Sequence, residues 1–151
     1  MSSRMQRKGN KGKPMAERLP PVMDLFKLVD ACNRCSAFFR VADERLQDDA
    51  FRDFHDRLQK TLDRFVFELK KENSRIGNRE PGEPQNFEVR CVNVTAPLSQ
   101  AGTELESTVK GYDMLLARPM PPHARAMIQR QRQSLGQLLA DLDQLSKVGS
   151  A

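Results

Sequence analysis

Tryptophan is absent from this sequence, tyrosine occurs once (Tyr112), and histidine occurs twice (His55 and His123). A core must therefore be made from the eight phenylalanines and the aliphatic residues. No Glu-x-x-His occurs, so the carboxylate and imidazole set that a di-iron bundle directs inward is missing its signature. There is no Gly-x-Ser-x-Gly and no glycine-rich phosphate loop, which leaves no material for a serine triad or a P-loop. No apolar run approaches the ~20 residues that a membrane-spanning helix needs. Cysteine is scarce and odd in number (Cys32, Cys35, Cys91), and no apolar signal-peptide core occurs. The expectation is free thiols in a reducing, cytoplasmic setting.

What is present is dominated by residues 51–76, FRDFHDRLQKTLDRFVFELKKENSRI. At ~100° per residue, Phe51, Phe54, Leu58, Leu62, Phe65, Leu69 and Ile76 share roughly 80° of arc, and charged residues fill most of the remainder. One apolar stripe on a charged rod predicts a helix packed on one side and wet on the other. At ~1.5 Å per residue it is close to 40 Å long, so its partners should be long helices as well. Phe67 points off the stripe and predicts a second, smaller contact.

Charge is unevenly placed. Arg4, Arg7, Lys8, Lys11 and Lys13 precede the first acid, Glu17, and account for the whole net charge of +5. Residues 1–18 read as a disordered basic tail, and residues 19–151 as one folded domain. Gly9, Gly12 and Pro14 break the amphipathic helix that a mitochondrial presequence would require.

Pro20-Pro21 predicts the start of a first helix over about 21–46, whose Leu25, Leu28, Val29, Cys32, Cys35, Phe39 and Leu46 share a face. Gln47-Asp48-Asp49 makes a short break, with Asp48 or Asp49 as N-cap of a second helix over 49–76. Pro81, Gly82, Pro84 and Pro97 forbid helix across most of residues 77–97, which read as an extended connection of ~21 residues able to cross the bundle lengthwise. A third helix over 98–117, capped by Ser99 or Thr95, ends at Arg118-Pro119, and a fourth runs over 121–147. Four stripes, two short links and one long link predict an all-α four-helix bundle with a single crossover between helices two and three.

The stretch ADERLQDDAFRDFHDRLQKTLDRFVFELKKENSRIGNREPGEP is similar to the second-helix region of a bacterial family of ferritin-like four-helix domains of unknown function. The resemblance rests on Glu44-Arg45-Leu46, the late Phe65-Val66-Phe67-Glu68-Leu69 and the exit Ile76-Gly77, then Tyr112, Pro121-Pro122, Arg125 and Gln131, over roughly residues 22–146. It implies a ferritin-like fold in which helices two and three run parallel. The chain resembles a divergent member, with Phe38-Phe39 at a Gly-Tyr position, Leu139 at a histidine position, and only Glu104 and Glu106 of an acidic cluster.

Cys32-x-x-Cys35 puts two sulfurs on one helical face, which Cys91 or His55 could complete as a zinc site. Both cysteines also lie on the apolar stripe, where free cysteine is a common small core residue. Arg125, Arg130 and Arg132 could touch phosphates, but such a run is more often a solvated helix face. The expected core is hydrophobic, with Phe54 and Phe65 among its most buried side chains and one neutral polar contact, the Tyr112 hydroxyl near Gln131 or the bundle end. No catalytic, cofactor-binding or metal residues are assigned, and no cofactor is expected. The expected role is structural or protein-interacting, without catalysis; the alternative is a metal- or redox-linked domain with an unrecognised site. Expected partners are another protein or a second copy through Phe26, Phe38 and Phe67, with weak nucleic-acid contact by the tail and no membrane association.

Overall fold

The computed structural model describes the backbone of residues 12–75 and 96–149 and the side chains of residues 25–75 and 96–147. Four helices follow in order: α1 (Gly12–Leu46), α2 (Asp49–Arg75), α3 (Pro97–Leu116) and α4 (Pro122–Gly149). The chain is thus an all-α four-helix bundle. The described residues include no helix long and apolar enough to cross a membrane.

α1 packs on α2 and α3, and α4 packs on α2 and α3. Among the described residues the backbones of α1 and α4 do not meet, nor do those of α2 and α3, so these pairs are the diagonals. Side-chain pairs fix the directions. Ser36 meets Gln59 and Asp43 meets Arg52, so α1 and α2 are antiparallel. Arg57 meets Asp141 while Glu72 meets His123, so α2 and α4 are antiparallel. Asp113 meets Arg132, and Leu116 meets Arg125, so α3 and α4 are antiparallel as well. It follows that α2 and α3 run parallel, and that the chain leaves α2 at one end of the bundle and enters α3 at the other.

The stripes are buried as the periodicity predicts. Phe51, Phe54, Leu58, Leu62, Phe65 and Leu69 join Leu28, Cys32, Phe39, Leu105, Tyr112, Ile128 and Leu135 in one core. Near the α1–α2 turn, Phe39 stacks on Phe51 at 5.9 Å and lies 6.0 Å from Phe54. Phe54 and Phe65 are each 3% exposed, but Phe39, Phe51 and Tyr112 are buried still more completely. Ile76 and Cys91 lie outside the described residues, as do residues 1–11 of the tail and residues 77–95 of the connection.

The turns follow local chemistry. Gln47 adopts φ 49°, the left-handed conformation that closes many helices, and its N–H donates to Asp43 O at 3.0 Å. Asp48 Oδ2 then accepts from the Phe51 N–H at 2.9 Å, the N-cap bond expected for α2. Two boundaries differ from expectation. α1 starts at Gly12, not at Pro20-Pro21, so residues 12–18 belong to the helix and not to a tail; Met15, Ala16, Glu17, Arg18 and Leu19 favour helix, and Pro14 falls in the tolerant first turn. Ser99 does not cap α3. Its N-cap is Ala96, with Pro97 opening the helix and the Gln100 side chain accepting the Ala96 N–H at 3.3 Å; Thr95 lies outside the described residues.

Candidate functional site

Toward the end of the bundle where α3 turns into α4, the apolar core is interrupted by a chain of polar groups drawn from all four helices. Tyr112 on α3 is fully buried and donates its hydroxyl to Gln131 Oε1 on α4 at 2.6 Å. Cys32 on α1 lies 3.5 Å from the same hydroxyl; because the phenol proton is committed to Gln131, the thiol is the donor in this contact. The Gln131 amide nitrogen donates to Glu68 Oε1 at 2.9 Å and to the Phe65 carbonyl at 3.4 Å, both on α2. Glu68 reaches the surface, where Arg130 lies 3.5 Å away. One turn beyond Cys32, the Cys35 thiol bonds the Thr108 side chain, whose hydroxyl donates to the Glu104 carbonyl at 3.1 Å.

The amphipathic phase that buries the leucines also brings these residues in, since Cys32, Cys35, Thr108, Tyr112 and Gln131 all occupy stripe positions. Of the two places expected from sequence for the Tyr112 hydroxyl, Gln131 or the bundle end, it takes Gln131. The contact is not isolated and not wholly neutral, because Gln131 carries it on to a carboxylate. Glu68 escapes sequence reading because it sits at the margin of the α2 stripe, where a charge looks solvated.

Burial sets the acid–base character of the group. It pushes the Cys32 thiol from 9.0 up to about 11, partly offset by the Tyr112 hydrogen bond. It pushes Cys35 up to about 12, with Thr108 opposing and Glu104 adding to the rise. The Tyr112 hydroxyl is also raised, first by burial and then by Cys32. Both thiols therefore stay protonated at neutral pH and are poor nucleophiles and metal ligands.

The remaining candidates fall elsewhere. His55 does not join the cysteines: its Nε2 accepts from Gln59 at 3.2 Å, because Gln59 Nε2 is a donor, and its Nδ1 faces Asp56 at 3.6 Å and Asp43 at 4.0 Å. Among the described residues no group of three or more His, Cys, Asp or Glu is placed to hold a metal ion. Glu72, 4% exposed, receives two bonds from Arg75 at 2.9 and 2.6 Å and lies 3.3 Å from His123.

Each arginine of the run has a partner within the chain. Arg125 binds carbonyls at the end of α3, Arg130 pairs with Glu68, and Arg132 makes two bonds to Asp113 at 2.7 and 3.2 Å. Arg132 also holds the Asp113 carboxyl below its usual range. An open groove of about 580 Å³ lies between the start of α3 and the end of α4, with Leu98, Gly102, Leu139 and Ala140 in its wall and Glu106 and Asp143 at its rim. Of the phenylalanines expected at an interface, Phe38 packs edge-on against Phe39 at 6.3 Å and Phe26 is half-buried. Phe67 stands 65% exposed, and among the described residues no ring or core contact is found for it.

The fold and site define an all-α four-helix bundle with a thiol–phenol–amide–carboxylate chain through its interior. No protein-family model matches the sequence, and no curated protein matches it.

Proposed function

We propose that this chain is a non-enzymatic, ferritin-like bundle of the bacterial cytoplasm that acts through its surface, in a structural or protein-interaction role. The observation that carries this reading is the closed hydrogen-bonding of the interior. Cys32 donates to Tyr112, Tyr112 to Gln131, and Gln131 to Glu68 and the Phe65 carbonyl. These groups satisfy one another, and a ligand entering there would have to break bonds inside a packed core. The parallel course of α2 and α3 supports the ferritin-like topology, and the inward faces support a structural core: Leu58, Leu62 and Phe65 on α2 oppose Leu105, Val109, Leu135 and Leu142.

Elemental analysis of protein purified without a histidine tag tests the reading. Iron, manganese and zinc should each fall well below one equivalent, and chelator should leave unfolding unchanged. Stoichiometric metal would instead favour a metal-linked domain. A redox-linked role would draw on the Cys32 thiol beside the Tyr112 hydroxyl. Rapid thiol reaction in the folded protein would support that second reading, and the raised thiols argue against it.

A further inference from the structure

The open groove between the start of α3 and the end of α4 has an apolar floor and an acidic rim. Leu98 and Leu139 are only partly buried against the core, and Ala140 is exposed. At the rim, Glu106 is exposed and has no ion-pair or hydrogen-bond partner among the described residues, while Asp143 meets Lys147 at 3.3 Å. Gly102 lines the same groove from the interior of α3, where glycine is unfavourable relative to alanine. Outside its own helix, no described atom lies within 4 Å of where a Cβ would stand on it. Packing among the described residues therefore does not call for a glycine here. A group that came close to the α3 backbone in the groove would.

The chain itself supplies such a group. The connection between α2 and α3 rejoins the described chain at Ala96, two residues before Leu98 at the mouth of the groove. Its last stretch, Val89-Arg90-Cys91-Val92-Asn93-Val94-Thr95, is its most apolar, and Arg90 is the sole charge there. From 98 to 106 on α3 and from 136 to 146 on α4, the groove runs about 12–15 Å at ~1.5 Å per residue. Residues 90–94 span about 13 Å at ~3.3 Å per residue, which leaves Thr95 for the turn into α3. Their length matches the groove, their apolar content matches its floor, and their one positive charge matches its rim.

We infer that the α3–α4 groove is a docking site for residues 90–94 of the chain's own connection. The apolar residues among them cover Leu98, Gly102 and Leu139, and Arg90 pairs with Glu106. The seating gives Gly102 its reason, because a side chain there would hold the incoming backbone off the helix. It also removes from water an apolar strip that the four helices leave open between them. Metal content, which decides the surface role proposed above, has no bearing on this seating.

Labelling of Cys91 by a maleimide in the native full chain provides the test, since Cys32 and Cys35 are buried and silent. Cys91 should react about tenfold or more slowly than in a free peptide of residues 85–96, at a rate independent of protein concentration. Glu106→Arg should speed the labelling, and Arg90→Glu combined with Glu106→Arg should slow it again. Gly102→Leu, which fills the groove, should bring Cys91 to the peptide rate with the helical circular dichroism unchanged. Labelling of the natural sequence at the peptide rate, protection that survives Gly102→Leu, or a double variant as fast as Glu106→Arg would overturn the inference. So would a rate that falls as protein concentration rises, which would give the groove to a second copy.

Discussion

Arg125, in the first turn of α4, is bound to Leu116 at the end of α3: its Nη1 donates to the Leu116 carbonyl at 2.8 Å, while Nη2 reaches the Arg118 carbonyl at 2.7 Å. The last carbonyls of a helix have no partner within it, so one guanidinium closes α3 and fixes the turn into α4. Arg125→Ala should cost about 1–2 kcal/mol in urea unfolding. Arg125→Lys should recover only part, since a single ammonium does not reproduce the planar fork.

Tyr112→Phe should cost about 1–3 kcal/mol, because it leaves Gln131 Oε1 without a donor and the Cys32 thiol without its acceptor. The loss should appear in equilibrium unfolding with little change in helical content. A neutral outcome would mean that water replaces the phenol.

The raised thiols make stability fall in alkali. An unfolded cysteine ionises near 9.0, whereas Cys32 holds its proton to about 11 and Cys35 to about 12. Between those values the folded state binds more protons, so unfolding becomes easier as pH rises. The contribution is complete below pH 9 and is lost progressively as pH climbs through the folded values. In a Cys91→Ser background, a thiol reagent at pH 8 should label Cys32 and Cys35 only as the protein unfolds.

Phe65→Ala should cost about 3–5 kcal/mol, since it empties a site that is 3% exposed. Phe39→Ala should cost at least as much, because Phe39 lies against Phe38, Phe51 and Phe54. Chemical denaturation of both variants checks the ranking.

Gln47 bears a left-handed backbone angle that glycine adopts without penalty. Gln47→Gly should therefore stabilise the bundle by up to about 1 kcal/mol, read as a higher urea midpoint at unchanged slope.

Much of this architecture was legible because each stripe is one-sided: Phe51, Leu58, Phe65 and Leu69 repeat at helical spacing against charged neighbours, and Pro121-Pro122 marks the start of α4, whereas Pro97, read as a helix breaker, opens α3. The direction of α3 relative to α2 was not legible from spacing, because the reach of ~21 residues permits either sense. The resemblance supplied the expectation of parallel helices, and the contacts of Arg57, Asp113 and Glu72 decide it. In the polar core, Tyr112 and Gln131 were visible because they interrupt apolar stripes. Glu68 and Glu72 were not, since a glutamate at the margin of a stripe reads as solvated until tertiary packing turns it toward another helix. The start of α1 was misplaced because two consecutive prolines look like a boundary wherever they stand.

The opposite placement of the α2 exit and the α3 entrance has a kinetic consequence. The two antiparallel pairs, α1 with α2 and α3 with α4, rest on neighbours in sequence. The contacts that join the pairs are remote, as in Cys32 with Tyr112, 80 positions apart, and Phe65 with Gln131, 66 apart. Each hairpin can zip locally, so the slow event is the docking of two preformed halves, opposed by a single loop-closure entropy. Doubling the joining segment should raise that opposition by only about 0.6 kcal/mol. The tolerance ends where the segment becomes too short to reach: spanning a 20-residue α3 means about 30 Å, or about nine extended residues. Below that length the parallel arrangement is geometrically closed to the chain, and α3 would have to run antiparallel to α2.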